Sequence, residues 1–460
     1  MKYKSFLILI LLGVQLSCDD FVEVDVPNDR ITSQTVFAKD ETAISAVKGI
    51  YNQLYSADFS GGSQNSVTVL SELSADNLRA TVSTATLLEF EENEIFINNN
   101  HNLRLWSSAY NIIYMTNAVL QGLENNERIS PDVRTQLIGE TQFIRAFTYF
   151  YLVNLFGEVP LVLTTDYQIN AKIYRSSIED VYAQIVEDLE QSTDRLDSTY
   201  ENGERFRANK FTVIALLARV HLYLENWELA EELSSEVIAA SDTYNLVDLN
   251  EVFLANSKEA IWQISPLEGG SVRANTREGD FFILVDNLET VALTEDLMAS
   301  FSENDYRKNN WTGGFDTETN HYDFPFKYKI KNAAGEALEY SMVLRLAEQY
   351  LIRSEARAHQ NKLEEAIEDL NKLRQRANLN PVETNFPEIT QDQLLNLIIE
   401  ERRHELFAEW GHRWFDLKRI NQANEILSPI KPLWENTDVL YPIPEEEMIK
   451  NPNIDQNSGY

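Results

Sequence analysis

Phe143, Ala146, Phe147, Phe150 and Tyr151 recur at spacings of three and four residues, which puts all five on one face of an α-helix. A β-strand alternates its side chains with period two and cannot present them on one face. A helix with so wide an aromatic stripe must bury it against another element, so the chain is committed to helix packing. A partner stands upstream. Leu103–Leu123 carries its own stripe through Trp106, Tyr110, Ile113 and Asn117. Between the two lies ENNERISPDVR, with Ser130 before Pro131 as a helix start, while Gly157 and Pro160 close the second helix. The spacing predicts a helical hairpin.

The same construction returns twice. Ala215 to Tyr223 reads A-x-x-A-R-V-x-L-Y within an apolar segment 211–224; Glu225–Asn226 turns, and Glu228–Ala240 returns, with Trp227, Ala230, Val237 and Ile238 as its apolar residues. A third copy runs over Val343–His359, turns at Asn361–Lys362 and returns over Leu363–Ala377. There Ala347, Tyr350, Leu351 and Ala356 face Ala366, Leu370 and Leu373. Small alanines let two helices approach closely while Leu, Tyr and Trp fill the seam, which is the build of tetratricopeptide repeats. The copies diverge and stand apart, so they do not form one continuous solenoid. Residues 241–341 read differently, with paired glycines at Gly269 and Gly313, the short run Ala260–Ile264, and many aromatics. The expected fold is mainly α, with loop-rich, short-strand insertions on a frame of tetratricopeptide-like hairpins. The expected organisation is 18–240, a loop-rich 241–341 carrying the candidate ligand surface, and 342–460, in one compact unit. The last thirty residues, rich in Pro and Asn, are expected to wrap the surface in extended form.

Residues 1–17 stand outside this frame. Lys2 and Lys4 precede the nine-residue apolar run Phe6–Val14, which suits a signal-peptide core but not a membrane span of about 20 residues. Cys18 follows at once and is the only cysteine, which excludes an intrachain disulfide. With Ser17 before it, the site resembles a bacterial lipobox, although Gln15 stands where that pattern has leucine. Cys18 is therefore expected to carry a lipid anchor, the chain's only attachment to a membrane. Asp19 and Asp20 resemble a surface-export signal of Bacteroidetes lipoproteins. The chain holds 73 acidic against 39 basic residues, a formal charge of −34. Such a surface repels phosphate backbones and argues against nucleic-acid partners and against basic docking on anionic lipid.

Glu140–Leu161, ETQFIRAFTYFYLVNLFGEVPL, resembles the signature of the SusD/RagB family of starch-utilisation lipoproteins. Five further segments agree in order: the Cys18 start, ALLARVHLYLENWELAEELSSEVI, LRLAEQYLIRSEA with the following LNKLRQRA, IIEERRHELFAEWGHRWFDLKRI, and the ending YPIPEEEMIKNPNIDQNSGY. The resemblance implies four tetratricopeptide-like hairpins and a lipid-anchored position on the outer face of the outer membrane. It implies capture of an oligosaccharide, or sometimes a peptide, and delivery to a SusC-like TonB-dependent transporter beneath. It also implies a binding protein rather than an enzyme. The competing readings are a surface glycoside hydrolase and a peptide-binding tetratricopeptide scaffold.

The residues themselves give little catalytic chemistry. Glu401, Glu405 and Glu409 share a helical face beside Arg402, and two such carboxylates are the minimum for acid–base hydrolysis. In a chain this acidic an interhelical ion-pair network is the stronger reading. Glu401-x-x-His404 is half of a di-iron motif, with no second pair among six histidines. Asp316-x-Glu318-x-Asn320 alternates oxygens like a calcium loop but lacks its glycine and terminal glutamate. No nucleophile elbow, phosphate loop or dinucleotide fingerprint occurs, so no catalytic residue, metal or cofactor is expected. The remaining signal is aromatic: Tyr306–Tyr328 holds seven rings in twenty-three residues. Rings cover the apolar faces of sugars while Asn, Asp and Arg hold hydroxyls. Trp311, among Lys308, Asn309, Asn310, Gly313 and Gly314, is a candidate platform, with a core or transporter-facing role as the alternative. Tyr322 is a second candidate from the same stretch. Asp76, Asn77 and Arg79 in SELSADNLR are further candidates, against helix capping and ion pairing.

Overall fold

In the computed structural model the apolar stripes become the seams between helices. The structure describes residues 33–81, 84–266, 275–285, 291–331 and 335–460; Cys18 and the segment before it lie outside them. After α1 (Asp40–Ser56), α2 (Val67–Ser74) and the short strand β1 (Leu78–Ala80) comes the first hairpin. It consists of α3 (Asn100–Leu123) and α4 (Pro131–Phe156). The Asn99 side chain accepts from the His101 and Asn102 amides at the start of α3. Pro131 stands in the first turn of α4, and Gly157 ends it at φ +71°, a conformation favouring glycine. Residues 139–153 of α4 are buried on every side. Phe147 meets Trp262 and Trp410 edge-on, with ring centres 5.0 and 5.2 Å apart, the arrangement aromatic quadrupoles favour.

The chain continues through α5 (Ile178–Thr193), α6 (Lys210–Tyr223) and α7 (Trp227–Ala239). Helix α5 packs along α4 and then against α6. Asn209 and Thr212 close a capping box at the start of α6, and Glu225 turns the hairpin with φ +57°. The third hairpin pairs α10 (Leu346–His359) with α11 (Leu363–Arg376); α12 (Gln391–Leu406) and α13 (His412–Arg419) follow. Helix α10 lies on α7, so hairpins far apart in sequence stack as neighbours.

The excursion between them is built from small pieces: β2 (Ala260–Ile264), β3 (Val291–Leu293), α8 (Glu295–Ser300), α9 (Tyr306–Trp311), β4 (Thr312–Asp316), β5 (His321–Pro325) and β6 (Ser341–Arg345). Strands β2 and β6 pair antiparallel, Trp262 opposite Leu344 and Ile264 opposite Ser341. The excursion thus leaves and rejoins the helical frame at one place. The helix expected from Val343 begins instead at Leu346. Ser341–Arg345 is buried throughout and satisfies its backbone against β2. Apart from short helical turns at Asn436–Val439 and Glu445–Lys450 the tail is irregular, but it does not merely wrap the surface. Tyr441 and Ile443 are fully buried, and the Tyr441 hydroxyl lies 2.8 Å from Ser74 Oγ. Asn457 donates to the carbonyls of Phe156 and Tyr441, giving this irregular backbone the partners that burial demands.

Candidate ligand surface and the charge network behind it

The acidic run of α12 is spent inside the molecule. Arg345, at the end of β6, sits with Glu405 at 2.7 Å, Glu409 at 2.8 Å and Glu259 at 3.0 Å. Arg307 holds Asp305 at 2.8 Å, Glu401 at 2.6 Å and Glu405 at 3.2 Å. Arg374 adds a contact to Glu401, Arg376 reaches Glu259 and Glu405, and Lys327 reaches Glu409. Burial alone would raise the Glu405 carboxyl, but the guanidinium groups of Arg376, Arg345 and Arg307 hold it well below the usual range. Burial likewise opposes ionisation of Glu409, and Arg345 with Lys327 reverses the sign. Glu405 and Glu409 are therefore structural anions, and Glu401 is engaged beside them by Arg307 and Arg374, as an interhelical network requires.

Trp311 belongs to this interior, and the expectation of a ligand platform is corrected. Its side chain is fully buried, and Nε1 donates to the Leu249 carbonyl at 2.9 Å. Its ring meets Phe253 edge-on and takes Lys327 Nζ at 4.7 Å from its centre. Lys308, Asn309 and Asn310 lie in helix α9 rather than in a loop. Gly313 lies in β4, where an added Cβ would fall 2.4 Å from the Phe324 ring. That glycine makes room for packing and does not loosen a loop.

Asp76 and Asn77 are corrected in the same way. Asp76 takes Arg413 through two contacts of 2.8 Å and Arg403 at 3.1 Å. Burial disfavours its charge, yet these arginines keep its carboxyl below the ordinary value. The Asn77 amide donates to Glu72 at 2.7 Å, and its oxygen accepts from Arg403 at 2.9 Å. Both residues are buried and committed to protein partners.

Arg79 and Tyr322 are placed differently. Both are half-buried, and the Arg79 guanidinium lies over the Tyr322 ring, 5.0 Å from its centre. They meet because β1 pairs with β3, Arg79 opposite Ala292, and β3 packs against the β4–β5 hairpin. Across that hairpin Phe315 stands opposite Tyr322. Tyr322, Phe315 and Phe326 rest on a small apolar cluster of Ile283, Leu284 and Phe324, which fixes the rings without covering them. His321 beside them is exposed between Asp316 at 2.7 Å and Asp323 at 3.4 Å; the Asp316 contact, with Asp323 behind it, raises its pKa. Asp316, Glu318 and Asn320 are exposed, and the turn closes through Thr317 N–H donating to the Asn320 carbonyl. Among the described residues no group of three or more His, Cys, Asp or Glu is arranged to hold a metal ion, and no helix is long and apolar enough to cross a membrane. Phe315 and His321 were not singled out from sequence; the pairing of β4 with β5 is what places them beside Tyr322.

Comparison with known proteins agrees with this architecture. Residues 20–222 match a family model described as "Starch-binding associating with outer membrane", and residues 287–460 match the model of the SusD family. SusD-like protein P25 of Formosa agariphila is 25% identical over the full length of both chains. Among solved structures, a SusD superfamily protein from Bacteroides vulgatus superposes with a TM-score of 0.80 at 23% identity, covering 92% of this chain and 99% of the other. A structure described as a laminarin binding SusD-like protein superposes with a TM-score of 0.76 at 21% identity, covering 92% of this chain and 100% of the other.

Proposed function

This chain belongs to the SusD/RagB family of carbohydrate-binding, outer-membrane-associated proteins, and on that premise we propose that it captures an oligosaccharide at the cell surface and passes it to a SusC-like TonB-dependent transporter. The observation that carries the capture step is the Arg79–Tyr322 pair on its aromatic shelf. Tyr322 and Phe315 offer faces for sugar C–H groups, while Arg79 and the His321–Asp323 edge offer hydrogen bonds to hydroxyls. The laminarin-binding neighbour supports a glycan ligand, and a formal charge of −34 favours a neutral glycan over a polyanionic one. The anchor is the lipid on Cys18. Without a helix that crosses the membrane among the described residues, delivery inward falls to a partner barrel. The protein works by binding and not by hydrolysis, a reading supported by the engagement of Glu401, Glu405 and Glu409 with arginine and lysine.

Calorimetry against laminarin and a neutral glycan panel tests the capture step. Wild type is expected to bind at least one, without releasing reducing ends. Tyr322→Ala and Arg79→Ala are each expected to weaken binding about tenfold or more, as loss of a hot-spot contact does. Hydrolysis of the bound glycan would return the protein to the glycosidases. Cys18→Ala should release the chain from membranes, because a lipid of several acyl chains binds stably where none leaves no anchor. A detergent pull-down should bring a large outer-membrane barrel with it.

A further inference from the structure

A second recess, of about 370 Å³, opens among the helices and shares no residue with the Arg79–Tyr322 surface. Its walls come from separate elements. Asn304 precedes α9; Asn378 and Asn380 follow α11; Asn385 and Phe386 close the helical turn Val382–Asn385; His404 stands on α12. Asn378 takes the left-handed conformation at φ +60°, and its amide donates to the Asn304 carbonyl at 3.3 Å. That contact draws the end of α11 to the segment before α9 and shapes the recess.

The charges at its floor are already matched. Glu401 is held by Arg307 and Arg374, and Asp305 is held by Arg307. No bare charge is left there to attract an ion. Apart from the half-buried Glu400 carboxylate on the wall, what faces the opening is neutral. The side chains of Asn304, Asn380 and Asn385 are exposed and make no hydrogen bond among the described residues. His404 shares a 2.8 Å hydrogen bond with Ser300 Oγ and packs its ring against Phe301 at 4.5 Å. Burial, with Arg307 and Arg403 nearby, keeps this imidazole unprotonated. At the mouth, Phe386 leaves 44% of its surface in water.

A carboxamide presents a donor and an acceptor side by side, which matches two neighbouring hydroxyls on a sugar ring. An exposed phenyl ring beside such groups offers the apolar half of the same contact. Glu400 on the wall disfavours an anionic ligand. The volume falls at the lower end of the roughly 300–1,000 Å³ range of small-molecule sites. We propose that this recess is a second saccharide subsite, taking one or two neutral sugar rings independently of the Arg79–Tyr322 surface.

The test is saturation-transfer NMR on the full chain with glucose, cellobiose, laminaribiose, maltose and mannobiose, and glucuronic acid as the anionic control. At least one neutral sugar should show transfer at millimolar concentration, and glucuronic acid should show none. The double variant Asn380→Ala/Asn385→Ala should weaken that binding about tenfold, as losing paired polar contacts does. Phe386→Ala should weaken it several-fold, and both variants should melt within about 2 °C of wild type because the residues are exposed. Arg79→Ala/Tyr322→Ala should leave the small-sugar signal intact. A silent panel, unchanged binding in both recess variants, or a signal abolished by Arg79→Ala/Tyr322→Ala overturns the proposal. Polysaccharide binding that ignores Arg79 and Tyr322 overturns only the reading of the first surface.

Discussion

The interior around Arg345 and the surface around Arg79 are built from the same residue types, yet one is closed and the other open. Both combine an arginine, an aromatic ring and acidic neighbours. Around Arg345 every carboxylate meets a cation, and Trp311 is sealed beneath them with its indole N–H satisfied. Around Arg79 the guanidinium stacks on a ring whose other neighbours are half-exposed. Residue type therefore does not separate a structural cluster from a candidate binding surface. What separates them is whether each polar atom has already found its partner within the fold.

The sharpest way to break this contrast is to unbalance the interior. Arg345→Ala leaves Glu405, Glu409 and Glu259 short of a shared cation, and breaking a buried pair typically costs about 3–5 kcal/mol. Denaturant melts should show that loss, with glycan affinity unchanged in whatever fraction folds. Trp311→Ala should cost a comparable 3–5 kcal/mol or slightly less, since it empties a fully buried indole site. If Trp311→Ala lowered affinity while leaving the melt untouched, the assignment of the two regions would be reversed.

Glu278 sharpens the contrast from within the core. It is buried like Glu405, but its oxygen accepts from the Ser341 hydroxyl and no salt bridge holds it among the described residues, so burial pushes its pKa up to about 7. The folded chain then keeps the proton over a range in which the unfolded chain, at about 4.5, has lost it. The stability this group contributes is complete below about pH 4.5 and is lost as pH rises through about 7. Glu278→Gln should therefore gain on wild type between pH 5 and pH 8, by on the order of 2–3 kcal/mol at most, at 1.36 kcal/mol per pKa unit. Thermal melts of both proteins at the two pH values check this. A difference independent of pH would show that the carboxyl is ionised throughout. The smallest effect on stability belongs to the surface: Tyr322→Ala should cost about 2 kcal/mol of binding, with stability changed by about 0.5 kcal/mol or less.

The helical frame was legible because periodic apolar residues report a face directly, and the boundaries of α3, α4, α6, α7 and α11 fall close to the expected positions. Helix α5 is not among the elements the sequence predicts, although Ser177 caps it and Val181, Tyr182, Ile185 and Leu189 face inward. Strand β6 falls where the sequence predicts the start of a helix, since a run buried on both faces has no period to distinguish the two. Trp311 was misplaced because its polar neighbours sit on the outer side of a short helix, which a local composition cannot tell from a loop. Arg79 and Tyr322 were each visible as candidates. Their approach depends on β1, β3 and β5 coming together from distant parts of the chain, a long-range pairing no local pattern contains.

The pairing of β2 with β6 carries a consequence for how such a receptor diversifies. Because the excursion departs and returns on adjacent strands, its β4–β5 hairpin is free to change while α7 and α10 keep their seating, provided Arg307, Trp311 and Lys327 hold their places in the buried network. Tyr322 rides on this exchangeable cassette, whereas Arg79 is rooted in the segment after α2. Half of the proposed recognition pair is thus portable and half is inherited with the chassis. A hairpin grafted from a relative between Trp311 and Lys327 would bring a new ring to a fixed guanidinium, so the proposed surface could be retuned without redesigning the body that carries it.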